Sequence, residues 1–321
     1  LWFPFRQTYA TSESPPTRMT QTIAELKAIL GNAPEFSIED IEPALPLIEV
    51  KTELSSATIS PFGAQVCKWA PTDHPPVLYL SPKAKLDTSM PIRGGIPICW
   101  PWFNKNAENP DLPSHGIART RFWTLISAES NGRSAKLVFN LTSDEETKKL
   151  FPHDFDLTAT IHIGDKLRVV LKQKNTGEEP FKVSSALHTY LSVGDTDRIM
   201  LEGLKGSHYV DCLLPPDAEE VYQEGALPIN EHIDRIYKSM SSVLIRDLDR
   251  QRSVFIDKAG SRTTVVWNPW VNQSKKLKDL PDRDYREFLC IEPANAGSDM
   301  PTLYPNGSHT LETTIGLRPL T

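Results

Sequence analysis

Little in this 321-residue chain points to a membrane, a nucleic acid or a nucleotide. No apolar stretch approaches the roughly 20 residues needed to span a bilayer, so no membrane partner is expected. Lys and Arg never gather into a run that would form a basic groove, and the net charge of −6 argues against a nucleic-acid partner. The Gly-x-Gly-x-x-Gly fingerprint and the P-loop are missing, and so is Gly-x-Ser-x-Gly, which weakens a serine hydrolase reading. Neither His-x-x-x-His nor His-x-His occurs, so neither metal nor cofactor is expected. Cysteine is scarce: Cys67, Cys99, Cys212 and Cys290 include no pair at two-residue spacing. That spacing disfavours a zinc ribbon or a redox motif and favours buried free thiols in a reducing, cytoplasmic setting; one or two disulfides stay open.

Residues 1–20 are expected to be a disordered tail. The stretch up to Arg18 is rich in Ser, Thr and Pro, has no apolar centre, and contains no Met before Met19. A cloning remnant, a leader and an organellar transit peptide all fit it, so an organelle stays open beside the cytoplasm.

Residues 21–46 read as a short helix and a linker. Ile23, Leu26, Ile29 and Leu30 fall at helical spacing, and Gly31 is the stop. From Leu47 the texture changes to short β-prone runs. Thr158–Gln173 alternates apolar and polar residues around a two-residue Gly164-Asp165 turn, which predicts a hairpin with His162 facing outward. Further strands are expected at Leu47–Leu54, Phe122–Ser127, Ala135–Leu141, Lys182–Leu187, Ser253–Asp257 and Thr263–Trp267. Ser143-Asp144-Glu145-Glu146 has capping-box spacing and predicts a helix to Leu150. Many short strands, few helices, 27 prolines and no internal repeat predict an all-β chain: one large antiparallel β-sandwich over residues 47–318.

The most informative stretch runs from Ile92 to Trp123. It contains Arg93-Gly94-Gly95-Ile96-Pro97, Trp100-Pro101-Trp102-Phe103 and Ser114-His115-Gly116-Ile117-Ala118-Arg119. Glycine frees the backbone, proline stiffens it, and tryptophan offers a flat apolar wall with a polar edge. Such a mixture suits a pocket for a polar, anionic ligand better than a packed core. Elsewhere, His188 lies in the apolar run Val183–Leu191, where a hydrogen-bonded core histidine is the common outcome. Glu292 follows the apolar Phe288–Ile291 and precedes Pro293. Burial there would raise its pKa toward that of a general base, although a strand-end Glu reaching solvent fits the context equally well.

Collected in order, these segments resemble the aldose 1-epimerase superfamily, and within it the hexose-6-phosphate mutarotase (glucose-6-phosphate 1-epimerase) group. Leu187-His188-Thr189-Tyr190, Ile233-Asp234-Arg235-Ile236-Tyr237, Val265-Val266-Trp267-Asn268-Pro269-Trp270 and Cys290-Ile291-Glu292-Pro293-Ala294 complete the pattern, which covers residues 47–317. The resemblance implies a galactose-mutarotase-like sandwich that interconverts the anomers of a hexose 6-phosphate; a monomer is expected. By the same resemblance Glu292 is the base and His188 the acid, on opposite sides of the sugar. Arg93, His115 and Asp234 would hold hydroxyls, Arg93 and Arg119 the phosphate, and Gln65 is a weaker candidate in the same pocket. Trp100, Trp102 and Trp267 would pack against the sugar or support the loop. Two other readings stay open: an aldose 1-epimerase for unphosphorylated sugars, and a non-catalytic sugar-phosphate binding protein.

Overall fold

The computed structural model describes residues 19–39, 45–215 and 217–320; the expectation for residues 1–18 lies outside them. Two antiparallel sheets make the sandwich. One has nine strands in the order Leu227–Pro228, Ile199–Glu202, Val243–Asp247, Arg252–Ala259, Ser308–Pro319, Leu167–Asn175, Phe155–Ile163, Ala135–Thr142, Thr124–Ser130. The other has eight, and runs from Val221–Tyr222 through His208–Asp211, Ile233–Lys238, Thr263–Asn268, Phe288–Asn295 and Ser185–Leu187 to Ile98–Cys99. Tyr190–Ser192 is its eighth strand and also pairs with Phe288–Asn295. Phe36–Glu39, Leu47–Lys51, Ser55–Ser60 and Gln65–Pro71 form a separate four-stranded sheet.

Burial distinguishes the two large sheets. Phe155–Ile163 and Leu167–Asn175 alternate buried with less buried residues, as a sheet with one face on a core should. Phe288–Asn295 is buried at every position. Its Leu289 and Ile291 enter the main core between the sheets. Phe288, Cys290 and Ala294 belong to smaller clusters on the opposite face. The same split holds next door, where Val266 enters the main core while Val265 and Trp267 face away. This second face carries the candidate site.

Several expectations need adjusting. The hairpin loop has three residues, because Ile163 pairs with Leu167 across Gly164–Lys166. The run Lys182–Leu187 is two short strands, Phe181–Lys182 and Ser185–Leu187, in different sheets. Leu47–Leu54 stops at Lys51, where Thr52 folds a turn by accepting from the Leu54 and Ser55 amides. The helix after Ser143 is capped by Asp144 with Thr147 and spans only Glu145–Lys148; the Ser143 hydroxyl donates to Asp154 instead. The expected linker contains Phe36–Glu39, which pairs with Leu47–Lys51. All four cysteines are free, but Cys212 is exposed.

The first helix, Ile23–Leu30, is capped by Thr22 and Glu25 reciprocally and ends at Gly31, as its pattern predicts. Leu26 and Leu30 insert into the main core, and Gln21 exchanges hydrogen bonds with the backbone of Leu125. We propose that this segment unfolds with the sandwich as one unit. Leu26→Ala should then lower stability by about 2–5 kcal/mol in a single chemical-denaturation transition; an unchanged midpoint would make the helix an appendage.

Candidate active site

A cavity of about 350 Å³ opens on the free face of the eight-stranded sheet, lined by Arg93, Phe103, Asn104, Ser114, His115, Arg119, His188, Asp234, Val265, Trp267, Gln273, Leu277 and Glu292. Strand period explains how remote residues meet there, since residues two apart share a face. Val265 is opposite Glu292, and Trp267 is opposite both Cys290 and Asp234. His188 follows Ser185–Leu187 and is fixed by its amide, which donates to the Pro97 carbonyl at 3.0 Å. Its ring stacks nearly parallel on Tyr190, with centroids 4.8 Å apart.

The wall comes from the Ile92–Trp123 segment, and close backbone packing sets its path. A Cβ on Gly95 would stand 2.1 Å from the Val66 carbonyl oxygen, and one on Gly116 2.0 Å from that of Trp100. Both glycines also have positive φ, so other residues are excluded twice. His115 itself has φ +64, an uncommon conformation for a residue with a Cβ and one that concentrates at functional sites. It is held by Asn104: the His115 amide donates to the Asn104 carbonyl at 2.8 Å, and the Asn104 amide donates to His115 Nδ1 at 3.3 Å. A neutral ring accepting at Nδ1 carries its proton on Nε2.

His188 Nδ1 and Glu292 Oε1 are 3.3 Å apart. The Glu292 side chain is fully buried, and neither its oxygens nor His188 Nδ1 has a hydrogen-bond partner. Burial raises the Glu292 pKa well above the usual carboxylate range; Asp234 adds to this and Arg119 opposes it. Burial also pushes His188 well below the ordinary imidazole value, helped by His115, Arg119 and Arg93. Both shifts favour the uncharged forms, a protonated carboxyl beside a neutral imidazole. One proton passed between them makes the ion pair. The two groups lie side by side. The arrangement suits two oxygens on one carbon, as the hydroxyl and ring oxygens of an anomeric centre are.

The other expected residues divide. Arg93, His115, Arg119 and Asp234 line the cavity, with burial raising the Asp234 pKa to about 6. Gln65 does not line it. It is fully buried, and its Nε2 donates to the Ile92 and Gly94 carbonyls, so it fixes the backbone on either side of Arg93. Arg93 bonds Asp279 through Nε and the Tyr190 hydroxyl through Nη1, both at 3.0 Å. Arg119 donates through Nη2 to the Ser114 carbonyl, leaves a buried Nε without a partner, and makes no ion pair among the described residues. Trp267 lines the cavity, whereas Trp100 and Trp102 are buried behind it. Asn104, Gln273, Tyr190 and Asp279 escaped the sequence reading. For Asn104 and Gln273 the available signal was a polar residue just after an aromatic-rich motif; for Asp279 there was none.

A family model described as aldose 1-epimerase matches residues 46–316. The chain belongs to the aldose 1-epimerase family. Within it, the chain is 35% identical over 280 residues to an Escherichia coli (strain K12) protein named "Putative glucose-6-phosphate 1-epimerase", covering 87% of this chain and 92% of that one. The crystal structure of a "putative mutarotase" from Salmonella typhimurium superposes with a TM-score of 0.83 at 31% identity, covering 91% of this chain and 96% of that one. A galactose mutarotase-like protein from Clostridium acetobutylicum shares the fold at 16% identity, with a TM-score of 0.70 and coverage of 88% and 98%.

His115 and His188 make stability depend on pH. Burial, then Arg119 and Arg93, lowers the His115 pKa to about 3, against about 6.5 when unfolded. Between these values the unfolded chain binds more protons, so stability falls as the pH drops from about 6.5 toward 3. His188 acts in the same direction. The thermal midpoint should fall on acidification from pH 7 to pH 4, and His115→Gln should shrink that fall; equal falls in both proteins would contradict the assignment.

Proposed function

We propose that this protein interconverts the α and β anomers of a hexose 6-phosphate, glucose 6-phosphate foremost. The observation that carries the reading is the His188–Glu292 pair, adjacent, buried and without other partners at the base of an arginine-bearing cavity. The name of the Escherichia coli relative supports the choice of substrate.

The chemistry follows from the pair. A sugar seated over it offers hydroxyls to both empty Glu292 oxygens, which stabilises the carboxylate and moves the shared proton onto His188. Glu292 then takes the proton of the anomeric hydroxyl while His188 gives one to the ring oxygen. The bond from C1 to the ring oxygen breaks, and C1 becomes an aldehyde carbon. Rotation about C1–C2 presents its other face, and the reverse transfers close the ring. Opening moves one proton onto Glu292 and one off His188, and closure returns both, so the same pair serves each direction. Arg93, His115 and Asp234 hold hydroxyls or the ring. Arg119 leaves a buried Nε without a partner and makes no ion pair among the described residues, a state that an anionic substrate relieves, which favours a phosphorylated sugar over a free one.

Glu292→Gln and His188→Ala should each slow anomer exchange of glucose 6-phosphate by about 10²–10⁴-fold, measured by exchange NMR. Full activity in either variant would sink the mechanism. Wild-type protein should act faster on glucose 6-phosphate than on glucose. Arg119→Gln should raise KM for the phosphate ester by about ten- to a hundred-fold, the loss of one charge-assisted contact, and spare glucose. An equal effect on both sugars would remove Arg119 from phosphate recognition.

A further inference from the structure

We infer that His188, Cys290 and Glu292 together form a binding site for one soft divalent cation, zinc above all, and that the bound ion shuts off proton transfer. Ligand atoms of the three residues, the Cys290 sulfur among them, all lie within 4.8 Å of one another, and all three residues are buried. Cys290 and Glu292 are two apart on Phe288–Asn295 and share its outer face, while His188 approaches across the neighbouring chain. The pattern is Cys-x-Glu on a strand with a distant histidine, so it has none of the helical or loop spacings by which metal sites are found in sequences.

The nitrogen–oxygen pair already has the spacing that zinc requires, and the Cys290 sulfur lies within 4.8 Å of a ligand atom on each residue. A tetrahedral zinc holding nitrogen and oxygen at about 2.0–2.1 Å sets those atoms about 3.3 Å apart. His188 Nδ1 and Glu292 Oε1 already stand 3.3 Å apart. Nδ1 and both carboxylate oxygens are buried without partners, so a cation would supply contacts that the fold itself withholds. Imidazole plus thiol excludes magnesium and calcium, which prefer all-oxygen shells, and favours zinc or cobalt. Three protein ligands leave a fourth position toward the cavity, which also provides the entry path. On binding, the Cys290 thiol and any protonated Glu292 release their protons to solvent. The two resulting negative charges match the charge of the ion.

The consequence for turnover rests on the mutarotase reading: an ion on Nδ1 and the carboxylate occupies both groups that would move protons. Binding itself does not rest on it. Cys290 has no part in the proposed proton transfers, so its removal separates the two.

The test adds zinc alone, and separately cobalt alone, to the full-length protein, to Cys290→Ala and Cys290→Ser, and to Cys212→Ser as a control for the exposed thiol. Zinc should inhibit anomer exchange by wild type and by Cys212→Ser, and a chelator should restore it. Both Cys290 variants should keep anomer exchange and need at least about ten-fold more zinc for the same inhibition. A single equivalent of cobalt should give the intense absorption of a tetrahedral thiolate complex in wild type and in neither Cys290 variant. Unchanged zinc sensitivity, or unchanged cobalt absorption, in both Cys290 variants would overturn the site, as would the lack of cobalt absorption in wild type. A protein that binds cobalt in this way yet never accelerates anomer exchange would keep the site and refute the mutarotase reading instead.

Discussion

Glu292 is a carboxyl group in the middle of a β-strand, fully buried, beside an imidazole, and without a hydrogen bond to either oxygen. An unsatisfied buried polar group costs about 1–3 kcal/mol, and more when charged, so most proteins avoid one. Here the surroundings depend on it. The sheet holds Glu292 on the face away from the sandwich core, where the cavity begins. Its desolvation favours the protonated carboxyl, and desolvation of His188 favours the neutral imidazole. Burial costs such a pair least when each member is uncharged, and a polar molecule at the cavity would supply the missing hydrogen bonds.

The scaffold around the pair works by restricting movement. The nine-stranded sheet and the main core hold Leu289 and Ile291, and through them the strand that carries Cys290 and Glu292. Gln65 fixes the backbone around Arg93; Asp279 and Tyr190 orient its guanidinium. Tyr190 in turn lies flat against His188. A continuous set of contacts therefore links the arginine at the cavity wall to the imidazole at its base. Arg119 and His115 are held instead by the tight loop that Gly116 permits.

Much of this was legible in the residues. The alternation in Phe155–Ile163 and Leu167–Asn175 announced a hairpin because one face of an outer sheet meets the core. The first helix was legible because the spacing of Ile23, Leu26, Ile29 and Leu30 and the stop at Gly31 are local signals. Short-range signals failed where a partner far away in sequence decided the outcome. The run through Lys182–Leu187 splits because its two ends pair in different sheets. Gln65 was a candidate for the pocket by resemblance, but its amide is claimed by carbonyls of the Ile92–Gly94 backbone. Asp279 carried no local signal, since its role exists only through Arg93.

By itself the sequence determined the β-sandwich class, the family resemblance, and the pairing of His188 with Glu292 as the residues to watch; periodicity and ordered motifs are properties of the linear chain. Tertiary structure alone decided that these two stand side by side and unsolvated, that Arg119 makes no ion pair among the described residues, and that Cys290 shares their space. Distance, desolvation and hydrogen-bond satisfaction depend on strands that are remote in sequence and adjacent only after the sheets have formed.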